Sequence, residues 1–205
     1  PTTSRPASII QTSLATLRQD TGFRRYLAAR ACVAFAAMGQ AFFAVHATRQ
    51  LGASDGDVAT FSAILLGAQT TSTLLWGEVA GKLGLRLVLG AAVSLGIAAA
   101  LLALAAPSLA FFGLVFALSG ASLGALGVTD PGLPLALAES SGSDRALYVA
   151  VANTVLAPIY IIAPLAGGAA ADAGGYGLTY VIAAVAGAVA LLLTTRAAPS
   201  RTKGV

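Results

Sequence analysis

Apolar residues fall along this chain in six long blocks, at roughly 26–48, 58–77, 87–106, 109–137, 146–170 and 176–195. A helix needs about 20 apolar residues to cross the hydrocarbon of a bilayer, and each block supplies nearly that number or more. Turn-forming stretches separate the blocks: Gly52-Ala53-Ser54-Asp55-Gly56-Asp57, Pro107-Ser108, Ser140-Ser141-Gly142-Ser143-Asp144-Arg145 and Gly174-Gly175-Tyr176-Gly177. Between the second and third blocks lies a charged turn, Trp76-Gly77-Glu78-Val79-Ala80-Gly81-Lys82-Leu83-Gly84-Leu85-Arg86. The pattern predicts six membrane-spanning helices over 26–195, a linker over 1–25 and a tail over 196–205. Within the linker, Ile10, Leu14 and Leu17 have the spacing of one short amphipathic helix.

The charged turn has a second copy. Gly77, Gly81 and Gly84 are followed, at a constant offset of 91 residues, by Gly168, Asp172 and Gly175. Three blocks separate the copies, and three crossings put the second turn on the opposite side of the membrane. The fold class expected is therefore all-α: a polytopic membrane protein with six transmembrane helices arranged as a 3+3 inverted repeat. Secondary transporters carry repeats of this kind.

Composition agrees with a membrane protein. The chain is 57% hydrophobic and 10% charged, with mean hydropathy +0.84, whereas soluble domains carry about 25% charged residues. The net charge of +4 does not point to nucleic acid, because the basic residues sit at block ends and form no stripe. Cys32 is the lone cysteine, which excludes an intramolecular disulfide and a cysteine metal cluster; no cofactor is expected. Residues 1–25 contain no signal-peptide apolar run, and the chain starts at Pro1, as a fragment or a processed product would.

Basic residues also set the orientation. With the amino terminus inside, eleven of the twelve Lys and Arg residues lie on the inner side: Arg5, Arg18, Arg24, Arg25, Arg30, Lys82, Arg86, Arg145, Arg196, Arg201 and Lys203. Only Arg49 lies outside. The expectation is a multi-pass protein of the cytoplasmic membrane with both termini cytosolic. Tyr26 and Trp76 then suit an inner aromatic belt and Tyr176 an outer one.

The third and sixth blocks are almost wholly apolar and are expected to face lipid. The others carry polar residues, and depth decides what these can do. Gln69 lies about 18 Å from Asp57 and Asn153 about 12 Å from Arg145, both near the midplane. Gln40 and Tyr160 come out about 22 Å from the inner end. Transporter sites lie near the midplane, so Gln40, Gln69, Asn153 and Tyr160 are substrate-pathway candidates; the alternative role is hydrogen bonding between helices. Asp130, a weaker candidate for ion coupling, lies about 32 Å past Leu109, where a solvated or helix-breaking role before Pro131 is expected. Arg30 reads as shallow and able to snorkel, and His46 as a vestibule residue.

Gly77, Lys82, Gly84 and Arg86 resemble the loop motif of the major facilitator superfamily, Gly-x-x-x-Asp-Arg-x-Gly followed by basic residues. Gly81 replaces its Asp, and Leu85 a usual basic residue; the second copy keeps Asp172 with Gly168 and Gly175. Ser143-Asp144-Arg145 followed by Asn153, Pro158, Pro164, Gly167 and Gly168 is also similar to the fifth-helix region of that family's carboxy-terminal half. The resemblance covers roughly residues 20–195. It implies half of a secondary-active transporter moving a small solute by alternating access, not an enzyme. It also implies that an amino-terminal six-helix half, or a homodimer as fallback, completes the cavity within the lipid bilayer. Two other readings remain. Gly120-Ala121-Ser122-Leu123-Gly124 spells Gly-x-Ser-x-Gly, as a rhomboid-type intramembrane serine protease would, but the sole histidine, His46, lies in the first block. A non-transporting membrane scaffold is the other.

The predicted orientation has a direct check. With Cys32 replaced, single cysteines at Ser54 and Gly174 react with an impermeant thiol reagent from outside, and one at Ser141 does not. Equal labelling at all three positions contradicts the charge argument.

Overall fold

A computed structural model describes residues 20–142 and 144–195. Its helices are α1 (Thr21–Ala37), α2 (Gln40–Leu51), α3 (Asp55–Leu83), α4 (Leu85–Ala105), α5 (Leu109–Ser141) and α6 (Arg145–Thr195). Among the described residues, five stretches are long and apolar enough to cross a membrane; α1 and α2 together form the first, and α6 the last. The expected amphipathic helix around Ile10, Leu14 and Leu17, and the tail 196–205, lie outside the described residues.

Local chemistry explains the boundaries. The first helix begins before the apolar block because Asp20 caps it, accepting the Phe23 N–H at 2.9 Å. The other Asp20 oxygen accepts the Tyr148 hydroxyl at 2.7 Å, which ties this end of α1 to the start of α6. Met38 and Gly39 interrupt the span: the Met38 N–H bonds Phe35 O and the Phe42 N–H bonds Gly39 O, a tightened i−3 pattern. Helix α3 starts in a reciprocal capping box between Ser54 and Asp57. The helix α5 runs straight through Pro131 and Pro134 to Ser141, so Asp130 does not end a helix.

Two reversals rest on single glycines. Gly84 alone joins α3 to α4, at φ 92° and ψ 153°. Within α6, Gly174 and Gly175 leave the helical region, Gly175 at φ 72° and ψ −179°. A straight helix of 51 residues would extend about 75 Å, more than twice the hydrocarbon thickness. The break divides α6 into two limbs, which lie against different neighbours.

Helix α5 sits against both α3 and α4, while α6 packs on α1 and α4. The α3–α5 seam is the tightest. A Cβ on Gly120 would stand 2.3 Å from Leu65 O, and one on Gly124 2.7 Å from Gln69 O. Glycine at these two positions lets the backbones touch, the usual route to helix association without a hydrophobic drive. The Trp76 indole N–H, donating to Ala121 O at 3.1 Å, pins the same seam. Helix α4 buries Val88, Leu89, Ala92, Val93, Ala99, Ala100 and Ala103. It is thus an inner helix with only part of its surface facing out, and α3 is the least buried span. The third and sixth blocks each also carry exposed large apolar side chains, Leu87, Leu101 and Leu104 on one and Val181, Ile182, Val185, Val189 and Leu192 on the other, in keeping with an outer apolar face. Small side chains let an apolar helix pack on two sides as readily as face lipid. Tyr26, expected in an aromatic belt, is buried beside Phe23.

The seam is open to a direct test. Gly120→Leu forces α3 and α5 apart and destabilises the bundle by at least the about 1–3 kcal/mol typical of overpacking. Gly127→Ala, one turn on from Gly124 and facing open space, melts within a few degrees of the parent in detergent.

Candidate functional site

Arg30, Val33 and Tyr26 recur on α1 at helical spacing, and the helix has no continuous polar face to send outward. Arg30 is nine residues inside α1, about 14 Å from its start, and only 3% exposed. The reading of Arg30 as a shallow, snorkelling residue is therefore corrected: its stem runs into the bundle, between α5 and the first limb of α6. Its Nη2 donates to Asp130 Oδ2 at 2.7 Å and to the Tyr160 hydroxyl at 2.8 Å. Asp130 lies eleven residues before the end of α5, about 16 Å in, and so well away from the helix end. Helix α5 continues past the apolar block to Ser141, so Asp130 is not the helix-breaking residue expected before Pro131.

The guanidinium is held on one nitrogen only. Nη1 is buried without a hydrogen bond of good geometry, and the Tyr26 hydroxyl stands within hydrogen-bonding reach of the Arg30 side chain. A buried donor left unpaired costs about 1–3 kcal/mol, more when charged. Asp130 supplies the counter-charge with its side chain 43% exposed, and a charge in a membrane span without such a partner is costly.

A cavity lies on each side of the Arg30–Asp130–Tyr160 bridge. One, of about 370 Å³, runs beside Ala34, Met38, Gly127 and Pro164. The other, of about 340 Å³, runs beside Tyr26, Pro134, Asn153 and Leu156. Arg30, Asp130 and Tyr160 line both. Residues 26–30 and 149–156 belong to the second chamber and 33–41 and 163–164 to the first. The bridge therefore divides one cleft lengthwise into two chambers. Apolar clusters close the bundle beyond it, with Phe23, Tyr148 and Leu133 towards one end and Phe43, Phe112 and Tyr180 towards the other.

Of the four pathway candidates, the structure brings Tyr160 and Asn153 to this cleft, together with Asp130. Gln40 lines a separate small pocket with Gly96 and Ser122. Gln69 lies at the α3–α5 seam, where its backbone carbonyl accepts the Thr73 hydroxyl at 2.7 Å. Arg30 is the residue that sequence reasoning missed. The available signal was that Arg30 and Asp130 are lone, opposite charges in apolar helices.

The loop-motif residues lie elsewhere. Gly77 and Gly81 meet open space. Lys82 pairs with Glu78 one turn back on an exposed face, an arrangement worth little. Lys82, Gly84 and Arg86 line a further cavity with Leu137 and Ser140. In the second copy Asp172 is exposed and Gly168 faces Phe42. Ser122, in the Gly-x-Ser-x-Gly stretch, is buried and donates to Ala92 O at 2.8 Å. His46 instead contacts the Tyr180 hydroxyl at 3.1 Å and stacks on Tyr176. Gly120 and Gly124 serve helix packing, whereas Gly127 meets open space. Among the described residues, no three His, Cys, Asp or Glu side chains gather where a metal could be held.

The family model described as Major Facilitator Superfamily matches residues 26–204. No curated protein and no solved structure matches the chain significantly.

Breaking the pair is expected to cost more than removing it. Asp130→Ala leaves Arg30 buried without its counter-charge and destabilises by about 2–4 kcal/mol, reduced from the fully buried case by the exposure of Asp130. Arg30→Met with Asp130→Leu removes both charges and melts closer to the parent. Thermal unfolding of the detergent-purified protein reads both.

Proposed function

The chain belongs to the major facilitator superfamily, and on that premise we propose that it forms six spans of a secondary-active transporter moving a small solute by alternating access. The chain is a membrane transporter of this kind, and members of the family are transporters rather than enzymes. Its surroundings are a lipid bilayer and its cargo a small solute.

The bridge from buried Arg30 to Asp130 and Tyr160, between two chambers, carries the reading of the cleft as a pathway. Ionisable groups inside membrane helices face cavities or partners and mark pathways far more often than they serve packing. Chambers of about 340–370 Å³ fall within the range of small-molecule sites. In this reading Asn153 and Tyr160 line the pathway, Asp130 and Arg30 form its charged constriction, and Gln40 and Gln69 contribute from outside it.

Backbone dihedrals support the 3+3 inverted repeat. Every positive-φ residue among those described is a glycine: Gly52, Gly84, Gly142 and Gly175. Gly52 and Gly142 are left-handed helix caps, at φ 70° and 64°, and stand 90 residues apart. Gly84 and Gly175 are the sharp reversals and stand 91 apart. Chain ends of like geometry thus recur in the order cap, reversal, cap, reversal. With both termini cytosolic in the cell membrane, as the basic residues favour, Gly84 lies inside and Gly175 outside.

A second six-helix unit is proposed to face the cleft. Asn153, Thr154 and Tyr160 are exposed on one limb of α6, and α3 is the least buried span. Polar groups cannot be left against hydrocarbon. The partner is an amino-terminal half, with a second copy of this chain as the alternative.

Reconstituted in liposomes, residues 1–205 alone give no saturable flux, and flux appears on co-expression with an amino-terminal half. Saturable transport by a demonstrated monomer of this chain refutes the need for a partner. Unchanged flux in Arg30→Ala, at equal folded protein, refutes the assignment of the pathway.

A further inference from the structure

The Arg30 guanidinium is committed on one side and open on the other. Its Nη2 already serves Asp130 and Tyr160, while Nη1 is buried without a well-formed hydrogen bond, with the Tyr26 hydroxyl beside the guanidinium. A guanidinium presents its donors as a planar fork suited to carboxylate oxygens. Arg30 lines both chambers, and no other Lys, Arg or His lines either. The remaining lining is largely apolar, with Asn153 and the Tyr26 and Tyr160 rings as its polar points.

From this we infer that the cleft takes a small monocarboxylate with an uncharged, partly apolar body, anchored through Arg30, with Asp130 as the internal anion it displaces. The inference rests on the reading of the cleft as the solute pathway and adds the charge and class of the solute. One charge follows from the single guanidinium: Asp130, with its side chain 43% exposed, can turn to water when displaced by a monoanion, whereas a dianion would bring a second charge with no cation to meet it. An uncharged solute would leave the Nη1 donors without the acceptor for which they are placed. A cation would have to bind beside a buried guanidinium, at the cost of like-charge repulsion.

Displacement has a structural consequence. Asp130 and Tyr160 meet on Nη2, so these contacts close the wall between the chambers. A carboxylate that takes both edges of the fork releases Asp130, and α5 is then no longer tied to α1 at this level. Occupancy by the anion and continuity of the cleft become the same event. Tyr160 remains able to bond the guanidinium or the incoming carboxylate.

The test uses the full-length protein purified in detergent, at constant ionic strength, with acetate, lactate and benzoate against acetamide, lactamide and benzamide. At least one carboxylate is expected to raise the melting temperature saturably, and its amide is not. Asp130→Asn, which removes the competing anion, is expected to tighten carboxylate binding about tenfold. Arg30→Gln with Asp130→Asn, close in size and without either charge, is expected to lose the response. Equal responses to acids and amides, or no response to any of the six, overturn the inference, and neither result needs a variant to fold. A carboxylate response retained in the double variant, or weakened by Asp130→Asn, also overturns it. Saturable flux of a neutral or cationic solute, unaffected by all three acids, overturns the carboxylate site while sustaining the transporter. Carboxylate binding without flux on co-expression with an amino-terminal half supports the site and counts against the transport reading.

Discussion

A guanidinium withdrawn from water must find negative charge and hydrogen-bond acceptors, and in this chain that requirement organises the interior. Arg30 leaves one helix, and the groups that answer it come from two others. The cleft, the two chambers and the juxtaposition of α1, α5 and the first limb of α6 all meet at that cation. Elsewhere the bundle is held mainly by contact, glycine against backbone at the α3–α5 seam and alanine against apolar side chains around α4, with single hydrogen bonds such as Trp76 to Ala121 O and Ser122 to Ala92 O. Such contacts set distance but select little, because one apolar face packs much like another. A charge pair has a single partner, and specificity of register is the best-attested use of buried polar groups.

The contrast between the two sides of α5 follows from side-chain size. Towards α3 its glycines bring the backbones together until no cavity remains. Towards α1 it carries Leu123, Leu126 and Asp130 around an open cleft. One helix thus serves as a fixed wall on one face and as a chamber lining on the other. Gly127 lies on the chamber side, where its missing side chain leaves space rather than contact.

Much of the architecture was legible in the sequence, because hydrophobic length and turn composition are read directly from it. The reversal at Gly84 and the break at Gly174–Gly175 stand where the glycine pattern put them. Facing was less legible. A helix apolar on all sides has no stripe to show which side is inward, so the packed face of α4 could not be told in the sequence from the exposed face of Leu87, Leu101 and Leu104. The helix-breaking role expected at Asp130 failed because α5 runs on through Pro131 and Pro134 to Ser141. Asn153 and Tyr160 were found because a polar residue deep in an apolar run is conspicuous. Arg30 was passed over because a basic residue near a block's edge has an inexpensive explanation in snorkelling, and only the position of Asp130 in space removes it.

The sequence separations at the bridge bear on how the molecule assembles. Arg30 is 100 residues from Asp130 and 130 from Tyr160, whereas Gly84 joins two helices with no slack at all. Helical hairpins with such short connections form early, since closing a short loop costs little entropy. Contacts between distant parts of a chain come later. During synthesis α1 therefore exists for some time with its arginine unanswered, able to reach only water or lipid headgroups. The ion pair can close only once the far half of α5 has been made, and the bridge only once the first limb of α6 has followed, so the site is completed late in synthesis.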